Sequence, residues 1–441
     1  MSYKSLYKLY VMNDSSTFNK LYRDKFNSQS TIKFDLTIDN NQAFFSYDTE
    51  IMKLVSKIRE LDFELSKLIG KLPNNAVSFY IQNSLIEEIE YTNEIEGVKM
   101  NQDFFLSVGY ELKIMNKIKT IFEGIIYKYV NLSNNDIVFL DSKDIRKLFD
   151  EMLFQEIKEE DSSNLPDGLI FRKETVHVYK SNDKIIHNGI LPETRIIDYI
   201  NKSLNILNDS SIDILIRISL FHYLFGYIHP FYDGNGRINR FITSYYLSRY
   251  FNNIIGYRLS LSIKQNLSKY LKAFEETNDP RNKGDLSTFV YDFLSIIYQS
   301  FLTTKIDLEE KLKTLREFED CIQVFINKHQ FKNKNQIIQL LNILVQNVSN
   351  FIMSFRLRNL ISKLNNLNAK EISKFLFFKI AIEFILSSLM IWLSISIFSN
   401  EITVEGIWSM LGIMAVTLVV KGIFSLIVSY HQNKEQLGGF R

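Results

Sequence analysis

The sequence predicts a mainly α-helical protein with one small β-hairpin, and three observations carry that prediction. All 5 prolines (Pro73, Pro166, Pro192, Pro230 and Pro280) fall between residues 73 and 280, so nothing after Pro280 removes a helix donor. Apolar residues recur at intervals of three and four through long stretches. Only one region, around Val176 to Ile190, sets β-branched residues on both sides of a polar turn in the manner of a hairpin.

Taken in order, residues 1–45 are polar and mixed, with strand-like pieces such as Thr31-Ile32-Lys33-Phe34. Across 49–72 the spacing of Ile51, Leu54, Val55, Ile58, Leu61, Leu65 and Leu68 predicts an amphipathic helix, stopped by Pro73. A second helix is expected over 77–96, with Gly97 as its natural stop. An Asp/Ser start predicts a helix over 141–153, and Pro166-Asp167-Gly168 marks a turn. The hairpin follows, from Val176-His177-Val178-Tyr179 to Ile185-Ile186-His187-Asn188. Further helices are expected over 193–208 and 211–227, and from Leu286 the chain reads as helix after helix.

A length of 441 residues suggests two or three units. The expected division is an N-terminal region (1–75), a central domain (76–298) that includes the helix at 77–97, a helical linker (299–375), an apolar hairpin (376–431) and a tail (432–441). With 46% hydrophobic and 23% charged residues, a core can form and wholesale disorder is excluded. The net charge of +2 gives no general field toward nucleic acid, and the basic 311–370 stretch shows no recognition-helix pattern, so no nucleic-acid partner is expected. The single cysteine, Cys321, excludes an internal disulfide and a cysteine metal cluster. The opening residues hold no apolar run, so no secretory leader is expected and a reducing, cytosolic setting is the default.

The chemistry concentrates in His229-Pro230-Phe231-Tyr232-Asp233-Gly234-Asn235-Gly236-Arg237-Ile238-Asn239-Arg240. An apolar helix leads in and another leads out. Gly234 and Gly236 let the backbone turn and approach a ligand closely. Their N–H groups, at the start of the exit helix, make an anion site helped by the helix dipole. Arg237 and Arg240 lie three apart and share a helical face suited to phosphate oxygens. Asp233 beside a phosphate suits Mg²⁺, which takes one or two carboxylates together with substrate phosphates. His229 is the group with an ordinary pKa near neutrality, fitted to accept a proton from an attacking hydroxyl.

Any one of these elements alone is commonplace: Gly-Asn-Gly is usually a turn and a lone histidine is usually packed. The full string is specific, and it resembles the motif of the Fic domain family at every defined position. The resemblance runs from about Ile81 to Phe293 and implies a Fic-type helical bundle with the β-hairpin as a flap. It implies transfer of a nucleotide monophosphate, usually AMP from ATP, onto a protein Ser, Thr or Tyr hydroxyl. On this resemblance His229 is the base, Asp233 holds Mg²⁺, and Gly234, Asn235, Gly236, Arg237 and Arg240 hold the phosphates. Val176, His177, Val178 and Tyr179 resemble the flap strand that aligns the target by backbone pairing. Tyr270 and Asn278 match nucleoside-contacting positions loosely. Phe149 stands where relatives often have His.

Upstream, Thr92-Asn93-Glu94-Ile95-Glu96-Gly97 resembles the family's inhibitory motif. A glutamate entering the anion pocket would pair with Arg240, displace the γ-phosphate and misalign the α-phosphate, and such transfers depend on positioning and electrostatics. Thr92 and Glu96 lie four apart, on one helical face. The competing reading is a solvated acidic helix, since Glu87, Glu88, Glu90 and Glu94 crowd the same stretch. The motif downstream favours a brake acting within one chain.

Two apolar stretches end the chain: 380–398, where Glu383 is the only charge, and 407–430, where Lys421 is. Each approaches the roughly 20 residues that cross a bilayer. Lys363, Lys370, Lys374 and Lys379 precede the pair and Lys434 and Arg441 follow it, so a membrane hairpin with both ends cytosolic is expected. Glu383 and Lys421 would then lie at similar depth and could pair. The competing reading is a buried hairpin in a cytoplasmic, soluble protein. The expected partners are therefore ATP with Mg²⁺, a hydroxyl-bearing protein target and a membrane, with a homodimer left open. Alternative functions are transfer of UMP or phosphocholine, removal of AMP, and a non-catalytic nucleotide-binding scaffold; the intact His229 and Asp233 argue against the last.

Overall fold

The computed structural model describes residues 3–98, 123–132, 136–179 and 185–328. The described residues up to Thr314 belong to one compact unit. The chain opens with α1 (Leu6–Met12) and α2 (Ser15–Phe26), each started by a side-chain cap, Ser5 and Asp14. A hairpin follows, β1 (Thr31–Ile38) paired antiparallel to β2 (Asn41–Ser46). It corrects the expectation of a single hairpin. Asp39 and Asn40 both adopt positive φ, 43° and 64°, the turn geometry that suits Asp and Asn. Alternation along Phe34, Leu36 and Ile38 buries one face.

The hairpin is anchored by backbone as well as by packing. Phe44 N–H donates to Gly284 O at 3.0 Å, and Leu286 N–H donates to Phe44 O at 2.8 Å. Nearby, Lys25 Nζ reaches the buried Asp285 carboxylate and donates to Tyr3 Oη at 3.0 Å.

Helix α3 (Thr49–Ile69) matches the expected amphipathic stretch, and its buried Ile51, Val55, Ile58, Leu61 and Leu65 fall on one stripe. Helix α4 (Asn74–Ile95) begins directly after Pro73 and ends with Glu96 as its C-cap. Then come α5 (Glu123–Val130), α6 (Ser142–Met152) and α7 (Phe154–Asp161). Asp141 and Asp144 form a reciprocal capping box at the start of α6. The second hairpin pairs β3 (His177–Tyr179) with β4 (Ile185–Asn188). Val176 precedes the strand but still accepts from Gly189 N–H at 3.0 Å.

The centre of the body is α9 (Ile214–Ile228) and α10 (Asn235–Tyr250), flanked by α8 (Glu193–Asn208). Helix α9 starts later than the expected residue 211 because Asp213 caps it, accepting from Leu215 N–H at 2.9 Å. Every residue of α9 except Gly226 is buried, the mark of a central helix rather than a surface one. Helices α11 (Leu259–Gln265), α12 (Leu267–Asn278) and α13 (Ser287–Lys328) complete the described residues. Among these no helix is long and apolar enough to cross a membrane. The expected apolar hairpin, with Glu383 and Lys421, lies outside the described residues, as do most of the linker and the tail.

Candidate active site

The loop between α9 and α10 is fixed at both ends by left-handed residues. His229 caps α9 at φ 53° and ψ 64°, with its N–H donating to Phe225 O at 2.9 Å. Gly234 starts α10 at φ 81°. The positive φ calls for glycine, and a Cβ there would also press on Leu153 Cδ1 at 2.5 Å. Phe231 is buried and stacks on Phe149, ring centroids 4.2 Å apart. The phenylalanine at position 149 thus packs against the motif loop.

Asn235 turns its amide back onto the loop, accepting from Phe231 N–H at 2.9 Å and donating to Phe231 O at 2.8 Å. Its side chain braces the turn. The helix start itself carries no side-chain cap, so the first N–H groups of α10 face a cradle suited to an anion.

The two motif arginines are buried. Arg240 donates from Nε to Thr92 Oγ1 at 2.8 Å and from Nη2 to Thr92 O at 2.7 Å. Its Nη2 also lies 2.8 Å from Glu96 Oε1. A Cβ on Gly236 would fall 2.0 Å from that same Oε1. Thr92, Glu96, Gly236 and Arg240 therefore meet at one point, and a carboxylate already occupies the cradle. Burial pushes the Glu96 carboxyl up, but the charges of Arg240 and Arg237 outweigh it and hold the group below its ordinary range. Gly97 follows at φ 79°, turning the chain away after α4.

Arg237 pairs with the buried Glu156 carboxylate, and Asn93 Oδ1 lies 3.4 Å from its Nη1. Its Nε and Nη2 are buried without a hydrogen-bond partner, although Asp233 Oδ2 lies 3.5 Å from Nη2. Orphaned donors on a buried cation beside an uncapped helix start fit an anionic ligand such as a phosphate. Asp233 also accepts from Gly234 N–H, and its other oxygen points toward Arg237. Among the described residues no cluster of three His, Cys, Asp or Glu could hold a metal alone. A single carboxylate completed by phosphate oxygens is a donor set Mg²⁺ accepts, and Asp233 offers one such carboxylate beside the helix start.

His229 is half-buried, and Nδ1 lies 3.4 Å from Gly226 O. Burial pushes its pKa down to about 4; the Gly226 carbonyl opposes this, the Arg172 charge adds to it and the Glu96 carboxylate opposes it. The imidazole is neutral at pH 7 and can accept a proton.

The remaining sequence-predicted residues divide. In the flap, His177 pairs with Asn188 and Val178 with His187 across the two-stranded sheet. Tyr179 pairs with Ile185, after an irregularity. Tyr270 is buried, with Oη 2.8 Å from His222 Nε2, and it borders Arg240. Asn278 Oδ1 accepts from Tyr223 Oη at 2.7 Å. Both side chains are thus engaged with α9.

Two residues of the site, Glu156 and Arg172, escape sequence reasoning, and a third, His222, shows in the sequence only as part of a helix similar to the Fic family's entry helix. Glu156, the partner of Arg237, sits three residues after Leu153 and beside Ile157, so an acid on an apolar stripe was its signal. His222, buried between Thr243 and Tyr270, backs the arginine helix. Arg172 is wholly buried directly after Ile170-Phe171, and a charge ending an apolar run was its only mark.

Residues 139–247 match the family model described as Fic/DOC family. No curated protein matches the chain. Solved structures similar to this chain include three Fic proteins. A Fic family protein from Desulfovibrio desulfuricans G20 is 17% identical, covering 58% of this chain and 74% of that one, with a TM-score of 0.40. A Fic domain containing signaling protein from Bacteroides thetaiotaomicron VPI-5482 is 16% identical, over 59% and 97%, with a TM-score of 0.39. Fic-1 (residues 134–508) from C. elegans is 18% identical, over 58% and 71%, with a TM-score of 0.38. The stretch that matches the Fic/DOC family model holds the whole motif loop, from His229 to Arg240, together with the β3–β4 hairpin and Glu156, so over residues 139–247 the chain is similar to the Fic/DOC family.

Proposed function

We propose that this protein is a self-inhibited adenylyltransferase that moves AMP from ATP to a Ser, Thr or Tyr hydroxyl of a protein target. The observation that carries the reading is the meeting of Glu96, Gly236 and Arg240 at the start of α10, in the loop-and-helix unit that also presents His229. The cradle takes an anion, and His229 takes a proton. In the reaction the target hydroxyl oxygen bonds to the α-phosphorus, the bond to pyrophosphate breaks, and the hydroxyl proton passes to His229 Nε2. The α10 N–H groups, Arg237 and Arg240 bind and orient the phosphates. Asp233 would hold Mg²⁺, which when bound neutralises phosphate charge. The β3 edge would align the target segment by backbone pairing.

Glu96 would restrain this activity by occupying the place of the γ-phosphate on Arg240. The test is incubation of the Glu96→Gly protein with Mg²⁺ and ATP labelled either at the α- or at the γ-phosphate. Protein-bound α-label without γ-label supports the reading. Label from UTP or a choline donor in its place would move the chemistry to another transferred group. The apolar stretches at 380–398 and 407–430 support, from sequence alone, a membrane anchor that leaves this domain in the cytosol.

A further inference from the structure

Arg172 has 0% exposure, yet among the described residues no carboxylate pairs with it. Its donors go to backbone carbonyls instead. Nε donates to His229 O at 2.8 Å and Nη1 to Glu174 O at 2.7 Å. Nη2 donates to Ile190 O at 3.1 Å and to Ile228 O at 3.3 Å. Main-chain bonds run alongside: Arg172 N–H to Pro230 O at 3.3 Å, and Ile190 N–H to Ile228 O at 3.1 Å.

The four carbonyls come from three places. Glu174 precedes β3, Ile190 follows β4, and Ile228 and His229 form the junction of α9 with the motif loop. One side chain therefore ties both ends of the flap hairpin to the backbone of the motif histidine. The fork of Arg suits this, because its planar donors diverge and it stays charged when buried. The carbonyls at the end of α9 also lack partners within the helix and favour a cation.

Two further observations fit. Gly189, at the hairpin base, has no room for a side chain: a Cβ would lie 2.2 Å from Arg172 Nη2 and 3.3 Å from His229 Cβ. The guanidinium thus occupies the space where the hairpin base and His229 face one another. His229 is also held at φ 53°, a conformation unfavourable for a residue with a Cβ that persists only where its surroundings fix it. Its N–H is held by Phe225 O and its carbonyl by Arg172.

We infer that Arg172 is a positioning residue that locks the base of the flap to the His229 backbone, so that the strand aligning the target and the group accepting its proton keep one register. The inference rests on the proposed roles of His229 and the hairpin.

The experiment compares Arg172→Lys, Arg172→Ala and Gly189→Ala, each in the full chain carrying Glu96→Gly. Arg172→Lys keeps the charge and loses the fork. It should lower kcat for self-modification roughly 10²-fold through misplacement alone, while leaving KM for ATP near that of the parent. Amide hydrogen exchange should speed up at 187–190 and at 228–229 but not along α3. Gly189→Ala, which keeps the Arg172 side chain and displaces Nη2, should give the same loss of kcat with KM for ATP unchanged, and serves if Arg172→Ala does not fold. If Glu96→Gly shows no transfer, the functional reading fails, and the exchange pattern still decides the coupling. Unchanged exchange at both segments in Arg172→Lys overturns the inference. So does a rate loss matched by parallel losses of ATP binding and thermal stability, which marks a merely structural role.

Discussion

Glu96 Oε1 lies 2.8 Å from Arg240 Nη2, in the space that a side chain on Gly236 would fill. One carboxylate from the end of α4 thus satisfies an arginine and fills a glycine-lined cradle on α10. A ligand phosphate and this carboxylate would compete for the same donors.

Replacing Glu96 by Gly should raise self- or target modification by on the order of tenfold or more, because the phosphates regain in-line placement. Arg240 keeps its two bonds to Thr92, so the fold should hold at a cost of about 1–3 kcal/mol. Labelled ATP and a thermal melt check both. A variant no faster than its parent removes Glu96 from the role of brake.

Arg240→Ala should not release activity, although it too breaks the pair. It removes the donor that both the carboxylate and the phosphate need. Combined with Glu96→Gly, it should return the rate to the parent level or below, and ATP titration should show weakened binding.

His229→Ala should reduce transfer by roughly 10²–10⁴-fold with the melt unchanged near pH 7. Because burial pushes His229 down to about 4, the acid limb of kcat/KM should fall near pH 4 and not near 6.5. Removing Glu96, whose charge favours the imidazolium, should move that limb lower still. For stability the sign is that of a depressed folded pKa: the contribution is present above the unfolded value and is lost as pH falls through about 4. His229→Ala should flatten the melting temperature across that window.

Glu88, one turn before Thr92, is buried and accepts from Ser260 N–H at 2.8 Å and from Ser260 Oγ at 2.6 Å. Burial pushes its carboxyl up to about 7 against those bonds. A raised folded pKa stabilises below the unfolded value and loses that contribution as pH rises through about 7. The fall in melting temperature between about pH 5 and 8 should therefore shrink in Glu88→Gln. An unchanged slope would assign the pH response elsewhere.

The proposed anchor predicts that the full chain enters carbonate-washed membranes and that truncation at Asn368 leaves transfer intact in the supernatant. Full-length protein released by carbonate would support a soluble hairpin.

Much of the site was legible because its chemistry is contiguous. His229 to Arg240 lies in a single loop and helix turn, so local glycine conformations and a three-residue arginine spacing place most of it without distant contacts. The helix expected over 49–72, which ends at Ile69, and the one over 193–208 were legible for a similar reason: one-sided burial writes its period into the chain. The β1–β2 hairpin was harder to read, because its Asp39-Asn40 turn lacks glycine and the edge of β2 finds its backbone partners at Gly284 and Leu286, far along the chain. Tertiary structure alone decided that Asn235 braces Phe231, that Tyr270 turns toward His222, and that Glu156 answers Arg237. Arg172 is the clearest case. Its partners are main-chain carbonyls, which every residue carries, so no side-chain pattern could announce them, and only folding brings the three segments within reach of one guanidinium.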